Sequence, residues 1–244
     1  MAELQKGSKK LLDAWAFYDW ANSVYTLTIA SAVFPIFYEA LFSDRDHYID
    51  VFGLHLKNSA LISFITAFAF LLVAFISPLL SGIADYVGNK KSFMKFFCYL
   101  GVLSCMGLYW FNLENIYIGL VFYFLGLIGY WGSLVFYNSY LPDIAFVEQQ
   151  DKISAKGYAM GYIGSVILLI INLAMIMKPK FFGITGTEGE AAMKAMRYSF
   201  VMVGVWWILF SQYTYYFLPK GNKNANRKVS HHVVFNGFKE LKKV

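Results

Sequence analysis

Ser59-Ala-Leu-Ile-Ser-Phe-Ile-Thr-Ala-Phe-Ala-Phe-Leu-Leu-Val-Ala-Phe-Ile-Ser-Pro-Leu-Leu80 runs without one charged side chain. A helix rises about 1.5 Å per residue, so roughly 20 apolar residues cover a hydrocarbon core of about 30 Å, and this run reads as a membrane-spanning helix. Outward from it lie five more stretches of the same kind, at 14–41, 93–111, 116–141, 157–177 and 198–218. Lipid offers no partner to an unpaired peptide group, so the expectation is an all-α membrane protein of six transmembrane helices, 14–218, after a short segment 1–13 and before a basic segment 219–244. With 58% hydrophobic, 20% aromatic and only 15% charged residues, the chain lacks the polar surface of a soluble domain.

The 21 basic residues segregate by side. With the N-terminus inside, the inner segments hold Lys6, Lys9, Lys10, Lys90, Lys91, Lys95, Lys152, Lys156 and every basic residue from Lys220 to Lys243. The outer ones hold only Arg45, Lys57, Lys178, Lys180, Lys194 and Arg197. Both termini are therefore expected on the cytoplasmic side of the cell (inner) membrane. The net charge of +6 reads as a topology signal and as attraction to the lipid bilayer, not as a nucleic-acid interface. The first stretch is too long for a cleavable signal core. Cys98 and Cys105, both in the third span, form neither a disulfide framework nor a metal-ligand set, and no cofactor or metal is expected.

Polar residues inside the spans carry the functional reading. Asp19, Asn22, Ser23 and Thr26 recur at helical spacing and are expected to share one face of the first span. An ionised carboxylate at the centre of a membrane helix costs about 2.5–3.5 kcal/mol on insertion scales, so that face must meet water or another helix. Asp19 is then a proton or cation site and Asn22 and Thr26 substrate contacts; the competing reading is an interfacial carboxylate held by the Lys9 and Lys10 region. Tyr130, Ser133, Tyr137 and Asn138 make a stripe on the fourth span that lines the same cavity or packs helices. Gly157, Gly161 and Ser165 form a small-residue ridge on the fifth, expected to be a packing face against a second half. The third and sixth spans, rich in Phe, Leu, Val and Trp, suit lipid-facing positions. Loops are expected at 42–58, 142–156 and 178–197.

Two motifs add a resemblance. Ser81-Gly-Ile-Ala-Asp-Tyr-Val-Gly-Asn-Lys-Lys91, between the second and third spans, resembles the signature loop of the major facilitator superfamily: Asp85, Gly88, Lys90 and Lys91 match, while Ser81 and Tyr86 depart. The resemblance implies that these four residues, with Asp143 at the end of the fourth span, belong to a cytoplasmic gate. Ala16-Phe-Tyr-Asp-Trp-Ala-Asn-Ser-Val-Tyr25, Phe34-Pro-Ile-Phe-Tyr38 and Tyr137-Asn-Ser-Tyr-Leu-Pro-Asp-Ile144 resemble a bacterial branch related to the vacuolar amino-acid effluxers linked to autophagy in fungi. Members have about twelve spans, so the chain resembles an N-terminal half built as 3+3 inverted repeats, with 219–244 leading toward a second six-helix half. The implied function is secondary transport of a small-molecule substrate, amino acids among them. Two other readings stay open: a complete six-span transporter acting as a homodimer, and a membrane scaffold that transports nothing. Enzyme chemistry finds little material, since all four histidines lie outside the spans and no Walker-type glycine loop occurs.

Overall fold

The computed structural model describes residues 4–42, 47–51, 53–87 and 89–220, without the side chains of Ser81 and residues 83–87. The Asp85 side chain, Gly88 and the segment 221–244 lie outside the described residues. The first span comprises α1 (Lys9–Asn22), a π-helical stretch (Tyr25–Val33) and α2 (Phe34–Ala40). Pro35 supplies the reason for the widened middle, because it has no N–H to donate and its ring would strike the carbonyl one α-turn back, at Ser31. The other spans are α3 (Asn58–Val87), α4 (Lys90–Gly107, closed by a 3-10 turn at Leu108–Trp110), α5 (Ile116–Ser139), α7 (Val147–Met177) and α8 (Glu188–Phe217), with a single turn, α6 (Leu141–Ile144), between α5 and α7. Five of the six have the length and hydropathy of a membrane crossing. The sixth, α8, is 30 residues long but less apolar, and it turns Ser199, Ser211 and Thr214 inward, where none is exposed.

Three loop expectations are corrected. Within 42–58 sits an antiparallel hairpin of β1 (Tyr48–Val51) and β2 (Leu54–Lys57), closed by Gly53 at φ 76°. The inner loop 142–156 is mostly helix, because α7 starts at Val147 and carries Glu148, Asp151, Lys152 and Lys156 before it turns apolar. In the outer loop 178–197, Thr187 and Glu190 form a capping box that begins α8 well before its apolar part.

Spans pack in a pattern that repeats itself. The first lies against the fifth and sixth, the fourth against the second and third, and the third against the sixth. Exchanging the first three spans for the last three, in order, maps this arrangement onto itself. Successive spans alternate in direction, so the fourth runs opposite to the first and the two triplets are inverted relative to each other.

The lipid-facing expectation for the third and sixth spans is likewise corrected. Cys98, Val102 and Cys105 of α4 and Phe200, Val203 and Trp207 of α8 are buried in the centre. The second span is the peripheral one, presenting Phe64, Phe68, Leu71 and Phe75 at the bundle surface. Hydropathy ranks helices by apolarity, and the core of a membrane bundle is no more apolar than its rim.

Backbone contact fixes the third span on the fourth. A methyl group added at Gly129 would stand 2.5 Å from Gly101 Cα and 2.8 Å from the Phe97 carbonyl oxygen. Gly129→Ala is expected to cost about 1–3 kcal/mol in reversible unfolding in detergent, whereas Gly189→Ala, facing open space, leaves stability nearly unchanged.

Candidate functional site

Asp19 lies ten residues into α1, about 15 Å along the helix from Lys9. It is half-buried, and its Oδ2 accepts a hydrogen bond from the Tyr137 hydroxyl at 3.0 Å. Tyr137 is itself held in place: Trp15 stacks on it at 4.2 Å between ring centroids, and the Trp15 indole donates to the Tyr137 carbonyl at 2.9 Å. The room for the carboxylate comes from α7. A Cβ at Gly157 would fall 2.5 Å from Asp19 Oδ2, and one at Gly161 would fall 2.6 Å from Ser23 Oγ. The small-residue ridge expected to meet a second half therefore packs on the first span, where it lets a polar helix face approach a backbone without a side chain between them.

Among the described residues no cation pairs with Asp19. Lys156, next to Gly157, is taken by Asp13 at 2.5 Å, and Lys10 stands over the Phe217 ring at 4.6 Å. The reading that placed Asp19 under the lysines of the N-terminal segment thus finds no support in the geometry.

Next to Asp19, which adjoins it through Gly161 but is not itself on its wall, a groove of about 190 Å³ opens between the π-helical stretch, α5 and α7. Hydroxyls line it: Ser23, Thr26 and Ser31 from the first span, Tyr130 from α5, and Tyr158 and Tyr162 from α7. Thr26 is on the wall and donates to the Ser23 carbonyl at 2.9 Å. Asn22 does not share that face. Three residues on from Asp19 it is rotated back by about 60°, to the side of Tyr18 and Tyr25, and it is fully enclosed with its Nδ2 unpartnered. Tyr137 is buried behind Asp19, and Asn138 is exposed at the bundle surface. Sequence reading missed Ser31, Tyr158 and Tyr162. The tyrosines repeat at four-residue spacing beside Gly157 and Gly161, a signal that was present; Ser31 lies inside the π-helical stretch, where counting by α-helical turns fails. A second crevice, of about 100 Å³ between α3, α4 and α5, is walled almost wholly by hydrocarbon.

At the end of the bundle that carries the N-terminal segment, helix ends are tied together. Lys90 binds Asp143 at 2.8 Å and the Ser139 carbonyl at 3.2 Å, and Lys91 donates to the Leu218 carbonyl at 2.7 Å. Lys6 reaches the Pro142 carbonyl at 2.6 Å, and Gly7 N–H the Ile144 carbonyl at 2.7 Å. Of the expected gate residues, Lys90, Lys91 and Asp143 thus join the ends of the third, fourth and sixth spans.

The family described as "Vacuole effluxer Atg22 like" matches residues 7–148 and 145–244 of this chain. The chain belongs to that family. Among the relatives of this Atg22-like chain, an uncharacterized MFS-type transporter of Bacillus subtilis (strain 168), YxiO, is 33% identical over 239 residues, 98% of this chain and 53% of the relative. An uncharacterized protein of Aquifex aeolicus (strain VF5) is 28% identical over 175 residues, 71% of this chain and 41% of the relative. The chain spans about half the length of the curated relatives it matches. No solved structure matches it. The Atg22-like chain is a multi-pass membrane protein, an all-α bundle of the major facilitator type.

Single cysteines map the groove. With Cys98 and Cys105 fully enclosed, Thr26→Cys and Ser31→Cys in the membrane-embedded chain are expected to react with a small hydrophilic thiol reagent, and Asn22→Cys is expected to stay unmodified under the same exposure.

Proposed function

We propose that this chain forms one rocking bundle of an alternating-access secondary transporter that moves a small solute, amino acids among its candidates, across the cell membrane. The observation that carries this reading is the hydroxyl-lined groove beside Asp19. Hydrocarbon satisfies neither a carboxylate nor a wall of hydroxyls, so this face belongs against an aqueous pathway. The relatives, about twice as long, support a companion six-helix bundle opposite it, with the solute near the midplane between the two.

In this reading Asp19 is the proton or cation site that couples the solute to a gradient, Tyr137 orients its carboxylate, and Thr26 meets the solute. The basic residues favour cytoplasmic termini, which makes the Lys90–Asp143 pair part of the cytoplasmic gate. Asp143 is half exposed, so the pair supplies less than about 1 kcal/mol.

The test is flux in proteoliposomes that hold this chain together with its companion bundle, under an imposed pH gradient, with radiolabelled amino acids as first probes. Uptake is expected to need the gradient and to fall by at least about tenfold in Asp19→Asn, the equivalent of about 1.4 kcal/mol. Unchanged gradient-driven uptake in that variant would remove Asp19 from coupling, and no gradient-dependent flux of any solute would remove the transport reading.

A further inference from the structure

We propose that the groove beside Asp19 is an alkylammonium site, so that this bundle reads the cationic end of the solute. The inference deepens the transport reading and rests on it for the passage of the solute, though not for its binding.

The first argument is a missing counter-charge. Asp19 lies at membrane depth, and its one hydrogen bond among the described residues comes from the neutral Tyr137 hydroxyl. Three lysines at the same end of the bundle are engaged elsewhere: Lys156 with Asp13, Lys90 with Asp143, Lys91 with a main-chain carbonyl. A carboxylate kept in a membrane helix ordinarily pairs with a charge of opposite sign. Among the described residues none does so here.

The second argument is the wall. Among the described residues no lysine, arginine or histidine lines the groove, so a carboxylate or phosphate would meet no cation on this side. Hydroxyl oxygens of Ser23, Thr26 and Ser31 accept N–H donors, and an ammonium group carries only donors. Tyr130, Tyr158 and Tyr162 add ring faces, which attract cations through their quadrupole. Tyr130 is fixed by stacking on Tyr25 at 5.2 Å and 21°, so its ring is in place before a ligand arrives. A volume of about 190 Å³ has room for a short alkyl amine.

A proton on Asp19 would also neutralise it, and the two counter-charges differ in what they select. A proton site makes binding depend on pH alone. An ammonium site distinguishes an amine from its alcohol and its acid. The purified chain in lipid nanodiscs is therefore titrated at pH 7, where an alkylammonium of ordinary basicity (about 10.4) is charged, with n-butylammonium, n-butanol and butyrate at constant ionic strength. Binding is followed by thermal unfolding and calorimetry.

Butylammonium alone is expected to raise the unfolding temperature. Its affinity is expected to fall by at least about tenfold in Asp19→Asn, a loss of about 1.4 kcal/mol, and measurably in Tyr162→Leu. Tyr162 is 68% exposed, so the second variant keeps the test valid if the first does not fold. Equal binding of butanol or butyrate, no binding of butylammonium, or full binding to both variants would overturn the proposal. Proteoliposome flux is read separately: ammonium-selective binding without flux leaves this site standing and removes the transport reading, whereas flux without ammonium selectivity does the reverse.

Discussion

Everything at the site depends on how closely α7 approaches α1. Gly157 and Gly161 present bare backbone where any Cβ would collide with Asp19 Oδ2 or Ser23 Oγ. That approach lets the first span keep a carboxylate and a hydroxyl on a helix face and still pack. It also decides where the polar face ends: Asp19 and Ser23 fit against glycine, while the next polar positions, Thr26 and Ser31, emerge into the groove. A side chain at either glycine would force the Asp19 carboxylate or the Ser23 hydroxyl out of its present position.

A second constraint comes from the helix itself. Pro35 removes a donor, and the i→i+5 stretch Tyr25–Val33 absorbs the loss within a continuous span. The widened turns cost regular packing. Tyr25 and Thr28 in that stretch, Asn22 just before it, and Trp207 and Tyr215 on α8 hold buried polar atoms without a partner. A buried polar atom without a partner costs about 1–3 kcal/mol relative to a paired one, so the inner side of the first span carries a cost in the core. Rings offset part of this cost: Tyr25 stacks on Tyr130 and meets Trp207 at a tilt of 46°.

The architecture was legible where it follows from solvent alone. Apolar runs long enough for a bilayer marked all six spans. What was not legible depends on neighbours. Glu148, Asp151, Lys152 and Lys156 hid three turns of α7, because charge at a helix end erases hydropathy without ending the helix. The glycine ridge was plain in sequence but not its partner, since small residues permit contact with any helix. Asn22 illustrates a finer limit: three residues and four residues from Asp19 lie on opposite sides of it, and which side is enclosed depends on helices far away in the chain.

The two faces of the bundle differ in what they ask of their surroundings. Phe64, Phe68, Leu71 and Phe75 on α3 are satisfied by acyl chains, by another apolar surface or by each other. The face formed by the first span, α5 and α7 is not, because Ser31, Tyr158 and Tyr162 are exposed there beside the unpaired carboxylate. In hydrocarbon each of these hydroxyls lacks a partner and the Asp19 carboxylate, among the described residues, lacks a counter-charge, whereas in water or against a polar ligand both needs are met. The lysine contacts at the N-terminal end tie the third, fourth and sixth spans into one body, so the bundle can tilt as a unit while this face stays intact. One polar face and one greasy face on a single body suit the rocking motion about a central solute proposed above.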